Sequence, residues 1–304
     1  MAQLITRIEN TEYHQLSGIL KELFPYTGKA TVIGITGSSG VGKSTLVDRL
    51  ASHYSSEGCK VGVIAVDPSS PFSGGAILGD RIRMQSLAMD PNVFVRSMAT
   101  RGRMGGLSSS VDEAVLVLDA AGFRTLIVET VGVGQDEVDI VKTAHVVLVV
   151  VTPEMGDEVQ AMKAGIMEIG DIFVINKADR EGAGRTEREL KAVLSISSRE
   201  DEWDPPVVQT VATRSDGEKE LLDALEKYHQ FFSDPEKRKK RGIRFFRAKI
   251  LEMLRDRVAD KIQMEISEEE LNQCAERMMT GKLDPYTLMD RLLGTLDVQE
   301  VTDD

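Results

Sequence analysis

Cysteine and long apolar runs are scarce in this 304-residue sequence. The two cysteines, Cys59 and Cys274, lie too far apart in sequence to form a CxxC metal site or a disulfide framework, so a reducing cytoplasm is the expected location. The longest aliphatic run, Val146 to Val151, is far too short to span a bilayer, and the N-terminus lacks the apolar core of a signal peptide. We therefore expect a soluble, cytoplasmic protein.

Basic residues are outnumbered in the sequence. The 37 Lys and Arg against 49 Asp and Glu give a net charge of -12, which argues against broad adhesion to nucleic acid or to an anionic membrane. We expect no nucleic-acid partner and no membrane partner. At 41% apolar and 28% charged residues, the composition is that of a folded protein, and the length suffices for one large or two small domains.

Short β-branched runs alternate with helical stretches between residues 30 and 232. The runs are TVIGIT (31–36), VGVIAV (61–66), TLIVET (125–130), VVLVVV (146–151), DIFVIN (171–176) and VVQTVA (207–212). Nearly continuous apolar runs predict strands that are covered on both faces, and their alternation with helices predicts parallel βαβ units. The expected fold class is α/β, a three-layer domain with a mostly parallel sheet.

Helical patterns flank this domain on both sides. Apolar spacing over 4–23 predicts one helix or two short helices, closed by Pro25 and Gly28. After Pro235 the pattern predicts a long helix, a second one from about Glu268 to Met279, and a short last one through Leu293. We therefore expect an N-terminal helical segment (1–28), an α/β domain (29–233) and a C-terminal helical extension (234–304).

The charge of the C-terminal extension changes sign along its length. Residues 236–261 carry +7 and residues 262–304 carry -8, whereas residues 1–235 carry -11. Such a polarity suits pairing of one extension with another or with the main domain. Two solvated helix faces explain the charges equally well.

A phosphate-binding motif follows the first predicted strand. Gly37-Ser38-Ser39-Gly40-Val41-Gly42-Lys43-Ser44 matches GxxxxGK[ST] and precedes a predicted helix that begins near Thr45. Glycines allow backbone amides to turn toward a phosphate chain, Lys43 reaches the β and γ oxygens, and Ser44 can ligate magnesium. A glycine- and serine-rich turn without function is the alternative, and the strand before the motif and the helix after it argue against that alternative.

A second motif, Asn176-Lys177-Ala178-Asp179, follows the predicted strand that ends near residue 176. The Asp179 carboxylate can accept hydrogen bonds from the ring N–H and the amino group of guanine, whereas adenine does not present these donors, so the motif selects against ATP. Lys177 can lay its methylene chain along the base. Alone the motif could be a polar loop, but behind a phosphate loop it predicts a guanine site.

Three carboxylates are candidate magnesium ligands. Asp67 and Glu129 end predicted strands, and Asp80 follows a glycine-containing loop. Carboxylates at the C-terminal ends of parallel strands converge on the ligand crevice, and magnesium prefers oxygen ligands. Helix capping or a loop role is the alternative for these residues. Gly132 and Gly134 after Glu129 provide a candidate hinge, while Gln135 is a candidate for orienting water by residue type alone.

Several longer strings resemble one family. They are 34–46, 66–84, 96–107, 128–140 and 175–180, and together they resemble the MeaB/ArgK/MMAA GTPases, P-loop proteins of the SIMIBI class that assist cobalamin-dependent acyl-CoA mutases such as methylmalonyl-CoA mutase. The likeness covers nearly the whole chain. It implies magnesium-dependent GTP hydrolysis, a mutase partner, and a homodimer formed through the C-terminal extension.

The resemblance also implies roles for individual residues. Phosphate contacts are implied for Gly37, Ser38, Ser39, Gly40, Val41, Gly42, Lys43, Ser44 and Thr45; base contacts for Asn176, Lys177, Asp179, Ala212, Thr213 and Arg214; metal ligation for Ser44, Asp67, Asp80 and Glu129; and catalysis for Lys43, Asp67 and Glu129. The segment 153–163 corresponds to a switch loop that communicates with the mutase. Ser38 and Ser39 replace a common Pro-Pro pair, and Arg103 stands where histidine is more frequent.

Two other functions use the same fold. A metallochaperone GTPase would carry His-rich or CxxC ligand tracts, whereas His14, His53, His145 and His229 are scattered. An ATPase or kinase that serves amino-acid uptake is the second alternative, and Asp179 argues against ATP.

Overall fold

The computed structural model describes residues 1–10, 13–68, 87, 89–100, 109–130, 139–153, 164–196 and 202–294. A seven-stranded sheet lies at the centre, and its neighbouring strands all pair in parallel. The strands are Thr31–Thr36 (β1), Val61–Pro68 (β2), Val93–Thr100 (β3), Thr125–Glu129 (β4), Val146–Val151 (β5), Ile172–Asn176 (β6) and Val207–Thr210 (β7). Their order is β3-β2-β4-β1-β5-β6-β7, which confirms the predicted α/β class.

Helices connect and flank these strands. In the same described ranges they are Ala2–Asn10 (α1), Tyr13–Leu23 (α2), Lys43–Ser56 (α3), Ser109–Ala120 (α4), Ala164–Ile169 (α5), Ala183–Ile196 (α6), Glu218–Phe231 (α7), Pro235–Glu265 (α8), Glu268–Met279 (α9) and Pro285–Gly294 (α10). Two short 3-10 turns cover Phe24–Tyr26 and Ile140–Lys142.

The central strands are buried along their length because they consist of aliphatic residues on both faces. All positions of β4, β5 and β6 are buried, and so is β1 after its first residue. A parallel sheet needs helices on both faces to bury such strands, which explains their near-continuous hydrophobic runs. The edge strand β7 alternates instead, with Gln209 exposed between buried neighbours.

One strand, β3, was not among the predicted runs. Its sequence VFVRSMAT is interrupted by Arg96, and the strand lies at the edge of the sheet beside β2. Arg96 forms an ion pair with Glu9 of α1, so the guanidinium is neutralised by a helix far away in sequence. The apolar-run criterion missed β3 because its polar residue is paired through the tertiary fold.

The two N-terminal helices pack on α4. Their buried residues are Ile5, Ile8, Leu16 and Leu20. This spacing of three to four residues places one apolar stripe on each helix against the domain. The structure thus has two short helices, which was one of the two forms that the sequence pattern allowed.

Asp119 fixes the loop that leads into β1. Its carboxylate accepts hydrogen bonds from three successive backbone amides, those of Gly28 at 2.6 Å, Lys29 at 3.3 Å and Ala30 at 3.0 Å. Converging amides are a favourable environment for a carboxylate. The pairing therefore anchors the start of the central strand to the end of α4.

An aromatic cluster lies beside the start of β6. The indole of Trp203 packs edge-on against Tyr228 at 5.2 Å between ring centroids, and its N–H donates to the carbonyl of Asp171 at 2.8 Å. Arg241 donates to the buried Asp171 carboxylate at 3.2 Å and lies over the ring of Phe232. These contacts attach α7 and the first turns of α8 to the residue that precedes β6.

The chain divides into two compact units, Met1–Gly242 and Ile243–Asp304. In the second unit α9 begins with a capping box, in which Ser267 and Glu270 bond each other's backbone amides. Large apolar side chains are exposed in this unit: Ile243, Phe246, Ile250, Leu251, Met253, Leu254, Leu271, Met278, Met279, Tyr286 and Met289. None of the described helices combines the length and the apolar content that a membrane crossing needs.

Candidate nucleotide site

The phosphate loop joins β1 to α3, and two of its glycines are required by space as well as by backbone angle. Gly37 has φ 137°, and a Cβ there would lie 2.1 Å from the carbonyl oxygen of Val150. Gly42 has φ 95°, and its Cβ would lie 2.3 Å from Asn176 Nδ2. The loop can therefore run this close to β5 and β6 only with glycine at both positions.

Lys43 is held inside this loop. Its ammonium donates to the carbonyls of Gly37 at 2.7 Å and Ser38 at 3.0 Å, and the residue is buried. Ser39 and Gly40 are exposed at the tip, and Thr45 lies in the first turn of α3. The loop thus places a positive charge beside the N-terminus of a helix, an arrangement that attracts phosphate.

Ser44 and Glu129 are brought together at the carboxyl ends of β1 and β4. The Ser44 hydroxyl donates to Glu129 Oε1 at 2.8 Å, and Glu129 is buried opposite Ile35 in the strand register. A hydroxyl beside a carboxylate is a donor set that suits magnesium. The residues present fit a magnesium ion next to the phosphate loop.

The structure does not describe the side chains of two other predicted metal ligands. Asp67 lies on β2, which pairs with β4, but its side chain is outside the described residues. Asp80 is outside them entirely, as are Gly132, Gly134, Gln135, Arg103 and 154–163 of the predicted switch segment.

Asn176 ends β6 and connects three parts of the site. Its Nδ2 donates to the carbonyl of Val41 in the phosphate loop at 2.8 Å. Its Oδ1 accepts from the Thr210 hydroxyl at 3.2 Å and from the Ala212 amide at 3.1 Å. The side chain is buried, so these bonds are shielded from water and fix the phosphate loop relative to β7.

Lys177 and Asp179 follow Asn176 in a tight turn. Lys177 adopts φ 56° and donates from Nζ to the carbonyl of Gly40 at 2.7 Å. Asp179 is exposed, and Arg214 lies 3.8 Å from its carboxylate. The turn thus carries an exposed carboxylate two residues after Lys177, the residue that contacts the phosphate loop.

The segment Ala212–Arg214, which we call the base loop, follows β7. An isolated bridge between Val211 and Asp216 closes it, and Arg214 also donates to Asp216 at 3.0 Å. Ala212 is buried, whereas Thr213 and Arg214 are exposed. The backbone of this loop lies beside Asn176, whose Oδ1 accepts a hydrogen bond from the Ala212 amide.

Sequence reasoning missed Arg49. This residue of α3 donates from Nε to the carbonyl of Ala212 at 2.9 Å and from one terminal nitrogen to the carbonyl of Thr213 at 3.2 Å. Nothing in the sequence pairs residue 49 with residues 212 and 213. The contact depends on where the sheet places β7 relative to α3, the helix that follows β1. Its position six residues after Lys43, on the helix that begins at the phosphate loop, is the only local signal.

A parallel sheet with a phosphate loop after β1 and an Asn-Lys-x-Asp turn after β6 defines a P-loop GTPase. A family model described as methylmalonyl Co-A mutase-associated GTPase MeaB matches residues 1–267. This chain belongs to that family, which confirms the resemblance in its sequence. It is a GTPase.

Three individual proteins illustrate what this chain is similar to. A Pyrococcus abyssi protein named as a GTPase is 48% identical over an alignment of 307 positions, gaps included, which covers 98% of this chain and 94% of the relative. The mouse protein named methylmalonic aciduria type A homolog, mitochondrial, is 31% identical over 267 residues, 86% of this chain and 64% of its own length. The crystal structure of a LAO/AO transport system kinase superimposes with a TM-score of 0.68 at 26% identity, over 96% of this chain and 91% of that one.

Proposed function

We propose that this GTPase is a chaperone that gates cofactor loading or cofactor protection in a cobalamin-dependent acyl-CoA mutase of the methylmalonyl-CoA mutase type. The family match over residues 1–267 carries the proposal, since that family is described by its association with the mutase. The mouse relative, whose name refers to methylmalonic aciduria, supports it. The low cysteine content favours work in the cytoplasm.

In this proposal Gly37 to Thr45 bind the GTP phosphates, with Lys43 supplying the positive charge. Ser44, Asp67, Asp80 and Glu129 hold magnesium, directly or through water; the 2.8 Å contact between Ser44 and Glu129 supports the first and last of these. When bound, magnesium neutralises charge that develops on the phosphate oxygens. Lys43, Asp67 and Glu129 are then the catalytic residues.

Guanine is recognised by Asn176, Lys177, Asp179 and the base loop of Ala212, Thr213 and Arg214. The exposed Asp179 carboxylate accepts the ring N–H and the amino group, whereas Asn176 keeps the turn against the phosphate loop through Val41. A site of this kind rejects adenine because its carboxylate would face no donor.

The C-terminal extension, residues 234–304, is the proposed dimerisation element. Two features support this role: the change from +7 over residues 236–261 to -8 over 262–304, and the exposed apolar side chains of α8. Ile250 and Leu254 lie one turn apart on α8, and each is 56% exposed. Apolar side chains exposed in this pattern favour association between copies.

The mutase role is tested by binding and by cofactor loading. Purified protein is mixed with apo-methylmalonyl-CoA mutase in the presence of GDP, GTP or a non-hydrolysable GTP analogue, and retained mutase and its recovered activity are measured. We expect both to depend on the nucleotide. Ser44→Ala should abolish this dependence, while Ser56→Ala at the exposed end of α3 should preserve it. The proposal fails if no cobalamin-dependent mutase associates in a nucleotide-dependent manner.

The dimer is tested by size-exclusion chromatography with light scattering at low and high salt. We expect the mass of two chains for the wild type and of one chain for Ile250→Glu. Ile196→Glu, which changes an 86% exposed residue of α6, is the matched control and should remain dimeric. A wild-type monomer at both salt concentrations contradicts the assignment.

A further inference from the structure

We propose that Arg49 is a positioning residue for guanine recognition, which ties the base loop to the helix that follows the phosphate loop. Its guanidinium bonds two successive carbonyls of that loop, Ala212 at 2.9 Å and Thr213 at 3.2 Å. Arginine suits this task because its donors lie in one rigid plane and its charge strengthens both bonds. The inference rests on the proposed base-binding role of Ala212 to Arg214.

The base loop is held from two directions. The N–H of Ala212 donates to Asn176 Oδ1, and the carbonyl of the same residue accepts from Arg49. Asn176 in turn bonds the carbonyl of Val41 in the phosphate loop. Arg49 therefore adds α3 to the set of hydrogen bonds that connects the phosphate loop, Asn176 of β6 and the base loop.

The bond to the Ala212 carbonyl also orients the next amide. A trans peptide is planar, so its carbonyl and its N–H point in opposite directions. With the Ala212 carbonyl turned toward Arg49 of α3, the N–H of Thr213 points away from that helix. An N–H fixed in this way can donate to the carbonyl oxygen of guanine but meets an amino group on adenine, so its direction contributes to selection of the base.

The side chain of Arg49 lines a small cleft between α3 and the base loop. This cleft has a volume of only about 10 Å³, and its lining includes Leu46, Arg49, Thr210, Ala212 and Leu221. A shorter side chain at position 49 leaves room for the loop to settle toward α3. The amide of Thr213 would then lose its fixed direction, while the phosphate loop would keep its own contacts through Lys43 and Asn176.

The experiment separates base binding from phosphate binding in the full chain. Dissociation constants for GTP, ATP and inorganic tripolyphosphate are measured with magnesium by calorimetry for the wild type, Arg49→Met, Arg49→Lys and the control Arg188→Met. Arg188 is an exposed arginine of α6 that bonds only within its own helix among described residues. Melting temperatures establish that each variant is folded.

We expect Arg49→Met to weaken GTP binding about tenfold and to change the dissociation constant of tripolyphosphate less than twofold. The preference for GTP over ATP should fall. Arg49→Lys should recover part of the loss because an ammonium can still reach one carbonyl. Equal weakening of GTP and tripolyphosphate, or unchanged GTP binding, overturns the role of Arg49. A wild type without preference for GTP over ATP would instead overturn the proposed base site.

Discussion

The side-chain amide of Asn176 donates a hydrogen bond to the carbonyl of Val41 at 2.8 Å. One residue of the base-recognition turn therefore holds one residue of the phosphate loop, and both are buried. The two parts of the nucleotide site are thus joined by a direct hydrogen bond. Loss of this particular bond is expected to disturb both parts.

Asn176→Ala tests this connection. The substitution leaves the Val41 carbonyl and the Ala212 amide without their partner, and a buried polar group that loses its partner costs about 1–3 kcal/mol. We expect the free energy of unfolding to fall by about 3 kcal/mol and tripolyphosphate binding to weaken, although residue 176 contacts no phosphate in our proposal. Urea denaturation and calorimetry measure both effects; unchanged tripolyphosphate affinity would show that the two parts are independent.

Asp179→Asn should change which base is bound. An amide keeps one acceptor for the ring N–H but replaces the second acceptor by a donor, which suits the carbonyl of xanthine and opposes the amino group of guanine. We expect the affinity for GTP to fall about 100-fold, because a site built to hydrogen-bond its ligand discriminates strongly against a mismatched partner. The affinity for xanthosine triphosphate should fall far less. Competition binding with both nucleotides provides the ratio, and an unchanged ratio would place the base elsewhere.

Gly37→Ala and Gly40→Ala form a matched pair in the phosphate loop. Both glycines have positive φ, but a Cβ at Gly37 would lie 2.1 Å from a backbone oxygen, whereas nothing lies within 4 Å at Gly40. Backbone strain alone costs roughly 1–2 kcal/mol, so we expect the free energy of unfolding to fall by that amount in Gly40→Ala. For Gly37→Ala we expect the free energy of unfolding to fall by at least about 4 kcal/mol, or the variant not to fold. Equal unfolding midpoints in urea would contradict the close approach of the loop to β5.

Asp119→Asn should destabilise the start of the central strand. The amide retains one oxygen for the three backbone donors of Gly28 to Ala30 and adds a donor of its own among them. Hydrogen bonds to a charged acceptor contribute about 1.5–3 kcal/mol, so we expect a loss of about 2 kcal/mol in unfolding free energy. Asp223→Asn on the exposed side of α7 is the control and should change stability by less than about 0.5 kcal/mol.

Tyr54 makes stability depend on pH in the alkaline range. Burial, with smaller contributions from Glu57 and Cys59, raises the pKa of Tyr54 from 10.0 to about 12. Below pH 10 the phenol is protonated in both states; between pH 10 and 12 the unfolded chain loses this proton while the folded protein keeps it, so stability falls as pH rises. The loss is at most about 2 kcal/mol because the residue is partly exposed.

Urea unfolding at several pH values between 9 and 11.5 measures this slope. Tyr54→Phe should make it shallower, whereas Tyr26→Phe, at a residue that is 62% exposed, should leave it unchanged. Identical slopes for the wild type and Tyr54→Phe would show that the phenol titrates normally.

Six of the seven strands and the nucleotide motifs were predictable because their signals are local. The run 146–151 is apolar at every position, and the residues of each motif are consecutive, so neither needs knowledge of the fold. The sequence predicted that Glu129 lies near the phosphate loop because parallel strands end at one edge of the sheet, and its contact with Ser44 has that origin.

Contacts between distant parts of the chain could not be predicted in this way. Arg49 and Ala212 are 163 residues apart, and Asp119 and Gly28 are 91 residues apart. An isolated arginine on a helix or an aspartate near a helix end has many potential roles until the topology selects a partner. The same reason applies to β3, whose Arg96 looks unsuited to a covered strand until Glu9 is placed beside it.

Trp203 is the only tryptophan of the sequence, and its indole bonds the residue that precedes β6, the strand that ends at Asn176. The protein therefore contains a single indole fluorophore at the end of this strand opposite to the nucleotide site. Because indole emission responds to changes in polarity and packing, movements of β6 and of the neighbouring aromatic rings can be followed optically in the unlabelled protein. The GTPase thus carries its own spectroscopic probe.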